Sequence, residues 1–411
     1  MCKKVVKAIL AVTMGIVIMF GLMGFATILL TITMYFLVFY TGIKLISTFV
    51  KDTNAKANYK LLLTTVLTTA FAGELTLKYL VKYNLTYGEI NGKTTYRSPY
   101  KRMAVKNIVN IFKYGPNRGF ILHHDPNTTE KIIKPEFRYQ HQFNSLGLRD
   151  SEPKSDSTLF NIIELGDSFT EGVGAPADST WPAIFKSQLS TKYPALNTQT
   201  INAGIRASDP FFELPLLKER LLHFNPKLVI LALNESDITD IIALGGKERY
   251  THTSILETAG PRWEFFYSFS YIFRALAKSV LHTDGLLLTP AQRIREENLA
   301  LKKIEHCVLN DYKNLAAQYN FKLVVVLHPV QNELENKEFS LQKLAESFSK
   351  DSSFQTINLF EAYSHWHETT GKPYSSLYWP LDRHHNSAGY QLWANILAEE
   401  VKLEEPNFER L

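Results

Sequence analysis

The chain of 411 residues is 45% hydrophobic and 21% charged, which is typical of folded protein and long enough for one sizeable domain with appendages. Its net charge of +5 does not indicate a nucleic-acid partner, because nearly all of it lies in residues 1–60, where seven lysines face the single acid Asp52. Only two cysteines are present, Cys2 and Cys307, so no disulfide framework organises the fold.

The first element along the chain is an apolar run without charge from Ala8 to Ile43. One helix of these 36 residues would be roughly 54 Å long at about 1.5 Å per residue, against a bilayer core of about 30 Å. Two spans joined by a tight turn near Gly21 to Thr27 fit the run, and one long tilted helix with packing glycines is the alternative. A third candidate span covers Leu61 to Val81. The pattern predicts a membrane anchor of two or three transmembrane helices in residues 1–82.

The distribution of lysines predicts how this anchor is oriented. If the lysines at residues 3–7 and 44–60 are cytoplasmic, a hairpin of two spans followed by the third carries everything after about residue 82 across the membrane. We therefore expect a protein of a bacterial-type inner membrane with an extracytoplasmic domain. If either the hairpin or the third span does not form, the predicted location of that domain is the cytoplasm.

The remainder of the chain alternates between strand-like and helix-like segments. Residues 83–158 are polar and turn-rich, and they indicate an irregular lead-in. From residue 159 to 403, short buried runs typical of strands occur at Leu159–Leu165, Thr198–Asn202, Lys227–Leu233, Lys322–Leu327 and Gln355–Leu359. Helical patterns separate most of them, at Trp181–Tyr193, Pro210–His223, Glu296–Tyr319 and Leu341–Ser349, and one more follows at Ser387–Leu403. This alternation predicts an α/β fold in which helices cover both faces of a mostly parallel sheet.

The stretch 238–295 interrupts this alternation and is predicted to be an insertion. Its aromatic cluster, Trp263 to Tyr271, and the apolar Leu286 to Leu288 favour either a helical lid or membrane-facing patch, or an ordinary packed insertion.

Ser168 is the candidate nucleophile. In a parallel sheet the ligand site lies beyond the carboxyl ends of the strands, and Gly166-Asp167-Ser168 follows the first predicted strand directly. Gly166 permits a sharp turn, after which backbone N–H groups point toward an anion formed beside the serine. A serine that merely caps a helix would show the same pattern, so a partner is needed.

A base for this serine is available near the end of the chain. Serine hydroxyls become nucleophilic when a histidine, itself held by a carboxylate, removes the proton. Asp382, His384 and His385 lie together just before the last predicted helix. The alternative is that these are surface residues beside a helix cap.

Together these elements resemble the SGNH hydrolases, also called GDSL hydrolases, over about residues 159–403. The family's first block matches Gly166-Asp167-Ser168, and its last block matches Asp382 with His384. A stricter Asp-x-x-His spacing would select His385 instead. We assign His384, because the residues that follow it then keep their usual places. The resemblance implies a parallel-sheet αβα sandwich, flavodoxin-like in outline, and a serine nucleophile.

The resemblance extends less completely to the oxyanion hole. Gly204, after the second predicted strand, matches the family's glycine, whose N–H would join that of Ser168 in holding the oxyanion. The third block normally reads Gly-x-Asn-Asp, whereas here Asn234 replaces the glycine and Ser236 replaces the asparagine. Either side chain could donate a hydrogen bond, and a missing donor costs about 2.7 to 4 kcal/mol of transition-state stabilisation.

Three other features are candidate parts of a site. His328, at the end of the fourth predicted strand, could contact substrate at the rim or could be structural. His365 and His367 have a spacing that could hold zinc, but no recognised metal motif accompanies them, so we predict no metal and no cofactor. Residues 171–174 lack the lysine and glycine pattern of a phosphate-binding loop.

We therefore expect a membrane-attached serine ester hydrolase that acts on acyl esters, such as O-acetyl groups of glycans or envelope components. Lipid esters are an alternative substrate. The same residues would serve an O-acyltransferase. A non-catalytic protein that binds glycans or assists assembly is the alternative from another class, and the altered third block favours it. No nucleic-acid partner is expected, and the sequence does not reveal a protein partner.

Overall fold

The structure is a computed structural model that describes residues 27–77, 98–100, 126–249 and 260–403. Two compact units divide the chain. One contains residues 1–102 together with 258–294, and the other contains residues 103–257 together with 295–411.

The second unit contains a five-stranded parallel sheet. Its strands are β3 to β7 in chain order, preceded by the two strands of a separate hairpin. The bounds are β1 Thr129–Ile133, β2 Arg138–Gln142, β3 Phe160–Gly166, β4 Thr198–Gly204, β5 Leu228–Leu233, β6 Lys322–Leu327 and β7 Gln355–Asn358. The order across the sheet is β4-β3-β5-β6-β7, and every neighbouring pair is parallel. This confirms the predicted α/β class.

Fourteen α-helices lie in the described residues. They are α1 Thr27–Phe49, α2 Thr53–Leu75, α3 Ser168–Glu171, α4 Trp181–Lys192, α5 Pro210–Leu216, α6 Glu235–Leu244, α7 Glu264–Phe269, α8 Tyr271–Ser279, α9 Pro290–His306, α10 Lys313–Tyr319, α11 Gln331–Asn336, α12 Gln342–Phe348, α13 Leu359–Thr370 and α14 Ser387–Glu400. Short π-helical segments at Leu217–Leu221 and Cys307–Tyr312 continue α5 and connect α9 to α10.

The sheet is buried on both faces, as an αβα sandwich requires. Every residue of β5 is buried, so the side chains that alternate between the two faces of this strand are all covered. On one face, Trp181 of α4 stacks on Trp393 of α14 with ring centroids 5.1 Å apart. These rings belong to a core that also includes Ile230 and Val326. Helix packing on both sides leaves the strand ends as the accessible edge.

The lead-in is more ordered than the sequence indicated, because residues 129–142 form the antiparallel hairpin β1–β2. After the hairpin, the side chain of Asn144 accepts hydrogen bonds from the N–H groups of Leu146 and Leu148 and so forms a turn. Gly147 occupies the left-handed region of that turn with φ 72°.

The other unit contains the antiparallel pair α1 and α2. Gly42 of α1 packs so closely on Leu63 of α2 that an added Cβ would lie 2.6 Å from a leucine methyl. Within α1, Ile32–Phe49 is the one segment of the described residues long and apolar enough to cross a membrane. The predicted span and turn before Thr27 lie outside the described residues, and α2 does not meet the same criterion. The prediction of two or three transmembrane helices is therefore not confirmed.

Candidate active site

Ser168 is the first residue of α3 and follows β3 after a one-residue turn at Asp167. Gly166 adopts φ 154°, and a Cβ there would meet the hydroxyl of Thr170 at 2.2 Å. The carboxylate of Asp167 accepts the N–H of Phe169 at 2.9 Å and caps the helix. The turn therefore holds a half-buried serine at the carboxyl edge of the sheet.

A continuous chain of hydrogen bonds connects Ser168, His384 and Asp382. Ser168 Oγ lies 2.7 Å from His384 Nε2, and His384 Nδ1 lies 2.6 Å from Asp382 Oδ1. The side chains of His384 and Asp382 are 24% and 10% exposed, so the serine end of this chain is open to a substrate while the acid end is covered. In this tautomer Nδ1–H donates to the acid, and Nε2 can accept the serine proton.

The β1–β2 hairpin holds the loop that carries Asp382. The carboxylate of Glu136 accepts the N–H groups of Leu381 and Asp382, at 2.9 Å and 2.8 Å for the shorter contacts. Lys134 Nζ lies 3.6 Å from Asp382 Oδ2. Burial acts to raise the pKa of Asp382, but the hydrogen bond from His384 and the nearby charges of His384 and Lys134 outweigh it and lower the pKa. Asp382 is therefore held in its ionised form.

His385 takes no part in this chain of hydrogen bonds, because its side chain is fully buried. Its Nδ1 lies 2.9 Å from the carbonyl of Leu377, and its Nε2 lies 2.9 Å from His328 Nε2. Burial lowers the pKa of His385 to about 3 and keeps the imidazole neutral.

His328 does not lie at the substrate rim, where one of the two sequence interpretations placed it. Its side chain is completely buried and stacks on Trp393 with ring centroids 4.3 Å apart. Burial, followed by the neighbouring histidines, lowers its pKa well below the usual value. The side chain that follows β6 therefore enters the core, where it packs on Trp393 of α14.

Asn234 and Ser236 of the third block point toward Asp167. Asn234 Nδ2 and Ser236 Oγ both donate to Asp167 Oδ2, at 3.0 Å and 2.9 Å. The side-chain oxygen of Asn234 accepts the N–H of Ser236 and caps α6. These two residues therefore connect the third block to the first. The hydroxyl hydrogen of Ser236 and one amide hydrogen of Asn234 already have a protein acceptor.

Two buried carboxyl groups lie behind this connection. Burial, followed by neighbouring carboxylates, raises the pKa of Asp237 well above its usual value, and Asp237 accepts the N–H of Asn234. Burial also raises the pKa of Glu213, whose carboxyl oxygen Oε1 lies 2.7 Å from Ser208 Oγ. Burial therefore favours the neutral form of both acids, which reduces the repulsion they exert on Asp167.

The N–H of Gly204 is also occupied, because it donates to Asn202 Oδ1 at 3.0 Å. A Cβ on Gly204 would lie 2.2 Å from the backbone nitrogen of Glu171, so this glycine allows β4 to pack against α3. The next loop brings Ala207 near the nucleophile turn, since Ile205 N–H and Ser208 Oγ both donate to the carbonyl of Gly166. Ala207 has φ 61°, in the left-handed region that favours glycine.

Backbone N–H groups with no protein acceptor are found in this loop and at the nucleophile. Among the described residues, no acceptor is found for the N–H of Ser168 or of Ala207. Sequence reasoning did not identify Ala207, because the motif led to Gly204. The signal for Ala207 is a backbone angle, which alanine does not reveal in a sequence.

The lead-in segment also forms hydrogen bonds with the C-terminal end of α3. The guanidinium of Arg149 donates to the carbonyls of Glu171, Gly172 and Ala175, and so satisfies the end of the short nucleophile helix. The buried carboxylate of Glu171 accepts hydrogen bonds from the backbone and side chain of Arg206, at 2.8 Å and 2.5 Å for the shortest of each. The segment before the sheet thus positions both the nucleophile helix and the loop of Asp382.

The described residues contain no group of three or more His, Cys, Asp or Glu side chains placed to hold a metal ion. His367 Nδ1 lies 2.7 Å from the carbonyl of Lys372, and the ring of Tyr374, tilted by 37°, has its centroid 4.5 Å from that of His367.

Comparison with known families agrees with this geometry. A family model described as GDSL-like Lipase/Acylhydrolase matches residues 162–397, which is more than half of the chain. The chain belongs to this family, whose class is that of carboxylic ester hydrolases. No curated protein matches the sequence.

Solved structures with a similar arrangement include two esterases. A two-domain esterase active on acetylated mannans is 15% identical with a TM-score of 0.38, and the match covers 61% of this chain and 51% of that one. An acetylxylan esterase from Geobacillus stearothermophilus is 13% identical with a TM-score of 0.37, covering 59% and 94%. The chain spans about half the length of the two-domain esterase.

Proposed function

We propose that this protein is a serine-dependent ester hydrolase that removes acyl groups, foremost O-acetyl groups, from glycans or other envelope components. The observation that carries the proposal is the chain of hydrogen bonds from Ser168 Oγ through His384 to Asp382. Ser168 attacks the ester carbonyl while His384 Nε2 takes its proton, and ionised Asp382 stabilises the imidazolium that forms. His384 then protonates the leaving alcohol, and water resolves the acyl-enzyme by the reverse sequence.

The oxyanion of the tetrahedral intermediate needs donors that are not already satisfied. We assign this role to the N–H groups of Ser168 and Ala207, and no longer to that of Gly204, which donates to Asn202. The second amide hydrogen of Asn234 is a third candidate, because only one of the two donates to Asp167. Two backbone N–H groups are sufficient to form an oxyanion hole, as they do in serine proteases.

The substrate class is proposed from location and from the openness of the site. The apolar segment Ile32–Phe49 supports a membrane anchor, and the lysines between residues 44 and 60 support a cytoplasmic position for the end of α1. A domain on the outer side would meet acylated envelope polymers. Because Ser168 is half-buried at the edge of the sheet, an ester on a bulky polymer can reach it.

The nucleophile is tested by covalent labelling. The purified full chain is treated with a fluorophosphonate, together with Ser168→Ala, His384→Ala and, as a matched control, Ser187→Ala on the exposed surface of α4. We expect labelling of the wild type and of Ser187→Ala, and none of Ser168→Ala. Equal labelling of wild type and Ser168→Ala would contradict the assigned nucleophile. Absence of labelling in all four folded proteins would favour the non-catalytic alternative.

The reaction is tested by acetate release from acetylated oligosaccharides, with and without an unacetylated sugar as acceptor. A hydrolase releases acetate at a rate that the acceptor does not change. Acetyl groups recovered on the acceptor would instead identify an O-acyltransferase using the same residues. Reporter enzymes fused at about residue 85 test the side of the membrane, and cytoplasmic activity of the reporter would contradict the proposed location.

A further inference from the structure

Residues 260–294 form a helical corner within the unit that contains α1 and α2. In this unit α7 packs against α1, and α8 packs against α2. Tyr267, Ala277 and Leu287 form a small buried core between the two short helices, supported by Trp263 and Phe273. The corner is therefore a folded element with its own core.

Glu74 joins this corner to the end of α2. Its carboxylate is only 2% exposed and accepts hydrogen bonds from Ser270 Oγ and from the backbone N–H groups of Tyr271 and Ile272. The shorter contacts are 2.5 Å and 2.6 Å. Gly73 allows this approach, since an added Cβ would lie 3.2 Å from the Ile272 side chain. A buried acid placed at the start of α8 fixes the corner to that position.

The point of attachment lies at the end of α2 away from the lysines. Glu74 is about 32 Å along the helix from Thr53, at about 1.5 Å per residue. The lysines between residues 44 and 60 surround the connection of α1 to α2 at the opposite end. Near the beginning of the apolar segment Ile32–Phe49, Tyr35 packs against Phe71 of α2 with ring centroids 5.6 Å apart. An anchor with its lysines in the cytoplasm therefore brings Glu74 to the outer end of that segment.

The corner exposes apolar side chains beyond those that its core uses. Leu276 and Val280 are 53% and 64% exposed, and Leu281 is 46% exposed. Leu276 and Val280 are four residues apart and share one face of α8 and its end, whereas Tyr271, Arg274 and Ala277 form the buried face. Arg274 is satisfied inside, because its guanidinium donates to the carbonyls of Tyr267 and Ser268. The exposed apolar side chains of α8 are therefore not part of the core of the corner.

We propose that α8 and its C-terminal turn form an interfacial lipid-binding element, in which Leu276, Val280 and Leu281 enter the boundary between headgroups and acyl chains at the outer end of the anchor. This inference rests on the proposed membrane anchor. Amphipathic helices of this kind lie in the plane of the interface with their apolar face buried by about 5–10 Å. The element holds the outer end of the helix pair at a defined depth.

Site-directed spin labels test this depth in the full chain reconstituted in phosphatidylethanolamine and phosphatidylglycerol vesicles. Cys2 is replaced by serine, and Cys307 remains because it is completely buried. Labels are placed singly at Leu276→Cys and Val280→Cys. Lys278→Cys is the matched control on the same helix, exposed but on a different face. Tyr40→Cys, on an exposed position of α1, reports the anchor itself.

We expect the labels at positions 276 and 280 to collide several-fold more with oxygen, which dissolves in lipid, than with a water-soluble nickel chelate, relative to position 278. Equal nickel accessibility at 276, 280 and 278, with position 40 in lipid, would overturn the interfacial element and leave the anchor intact. Nickel accessibility at all four positions would overturn the anchor as well. Spin-spin broadening at 276 that disappears on dilution with unlabelled protein would show a second copy as the occupant and contradict lipid binding.

Discussion

The two sides of the candidate active site distribute their hydrogen bonds differently. On one side, Ser168, His384 and Asp382 form a chain whose serine end is open to solvent. On the other side, Ser236 and Gly204 direct their hydrogens to protein acceptors, namely Asp167 and Asn202. A residue at a motif position is therefore not by itself a catalytic group. A residue at such a position can act on the substrate when one of its hydrogens or lone pairs has no protein partner. Four predictions test this difference between the two sides.

The largest effect is expected from the two adjacent histidines. His384→Ala should lower kcat by about six orders of magnitude, because it removes the base of a cooperative catalytic unit. His385→Gln should retain activity in the folded fraction, because His385 contacts Leu377 and His328 and not Ser168. Ester hydrolysis is measured together with circular dichroism. A folded His385→Gln protein as inactive as His384→Ala would reverse the assignment of the base.

The comparison also explains which features the sequence could predict. Strand β6 begins and ends at the residues predicted, Lys322 and Leu327, because a buried apolar run has clear limits. The hairpin of residues 129–142 was missed, since most of its side chains are exposed and leave no apolar pattern. The motifs selected Ser168 and His384, whose contact depends on the carboxyl edge of a parallel sheet.

The features that the sequence could not predict depend on which hydrogen-bond partners and neighbours each residue has in the folded chain. Gly204 was selected because it is a glycine, but its structural reason is the close approach of β4 to α3. Ala207 occupies a left-handed conformation that alanine seldom adopts, so its residue type conceals the feature. His328 follows a strand as a site residue would, yet the ring of Trp393 covers it.

Gly204→Ala should have the second largest effect, which is a loss of stability of the folded protein. The new Cβ would lie 2.2 Å and 2.4 Å from backbone atoms of Glu171 and Thr170, which cannot move without displacing α3. We expect a loss of about 1–3 kcal/mol in the free energy of unfolding, measured by urea denaturation. Gly371→Ala is the control, because nothing lies within 4 Å of its Cβ and only its φ of 68° opposes the change. Equal stability of Gly204→Ala and wild type would contradict the close approach.

Ser236→Ala tests the third block with a smaller expected effect. Because the Ser236 hydroxyl donates to Asp167 at 2.9 Å, its loss should lower kcat less than about tenfold, roughly the value of one hydrogen bond of about 1 kcal/mol. A true oxyanion donor would lower kcat by about 10²–10³-fold. Steady-state hydrolysis of a soluble acetyl ester distinguishes the two. Asn234→Ala is measured beside it, and a decrease of the larger size there would identify the free amide hydrogen of Asn234 as a donor.

Lys134→Met tests whether the β1–β2 hairpin lowers the pKa of Asp382. Lys134 lies 3.6 Å from Asp382 and lowers its pKa, so its removal should raise that pKa. A raised pKa moves the titration of the Asp382 carboxyl group to higher pH, and the carboxyl-carbon NMR signal of Asp382, followed across the acidic range, measures this change. The lysine side chain is 51% exposed, so solvent screening limits the interaction to about 0.2–1 kcal/mol and the displacement to less than about one pH unit. Lys131→Met, an exposed lysine of β1, is the matched control and should leave the titration unchanged. A titration of Asp382 that moves to lower pH, or that moves equally in both variants, would show that Lys134 does not act on Asp382.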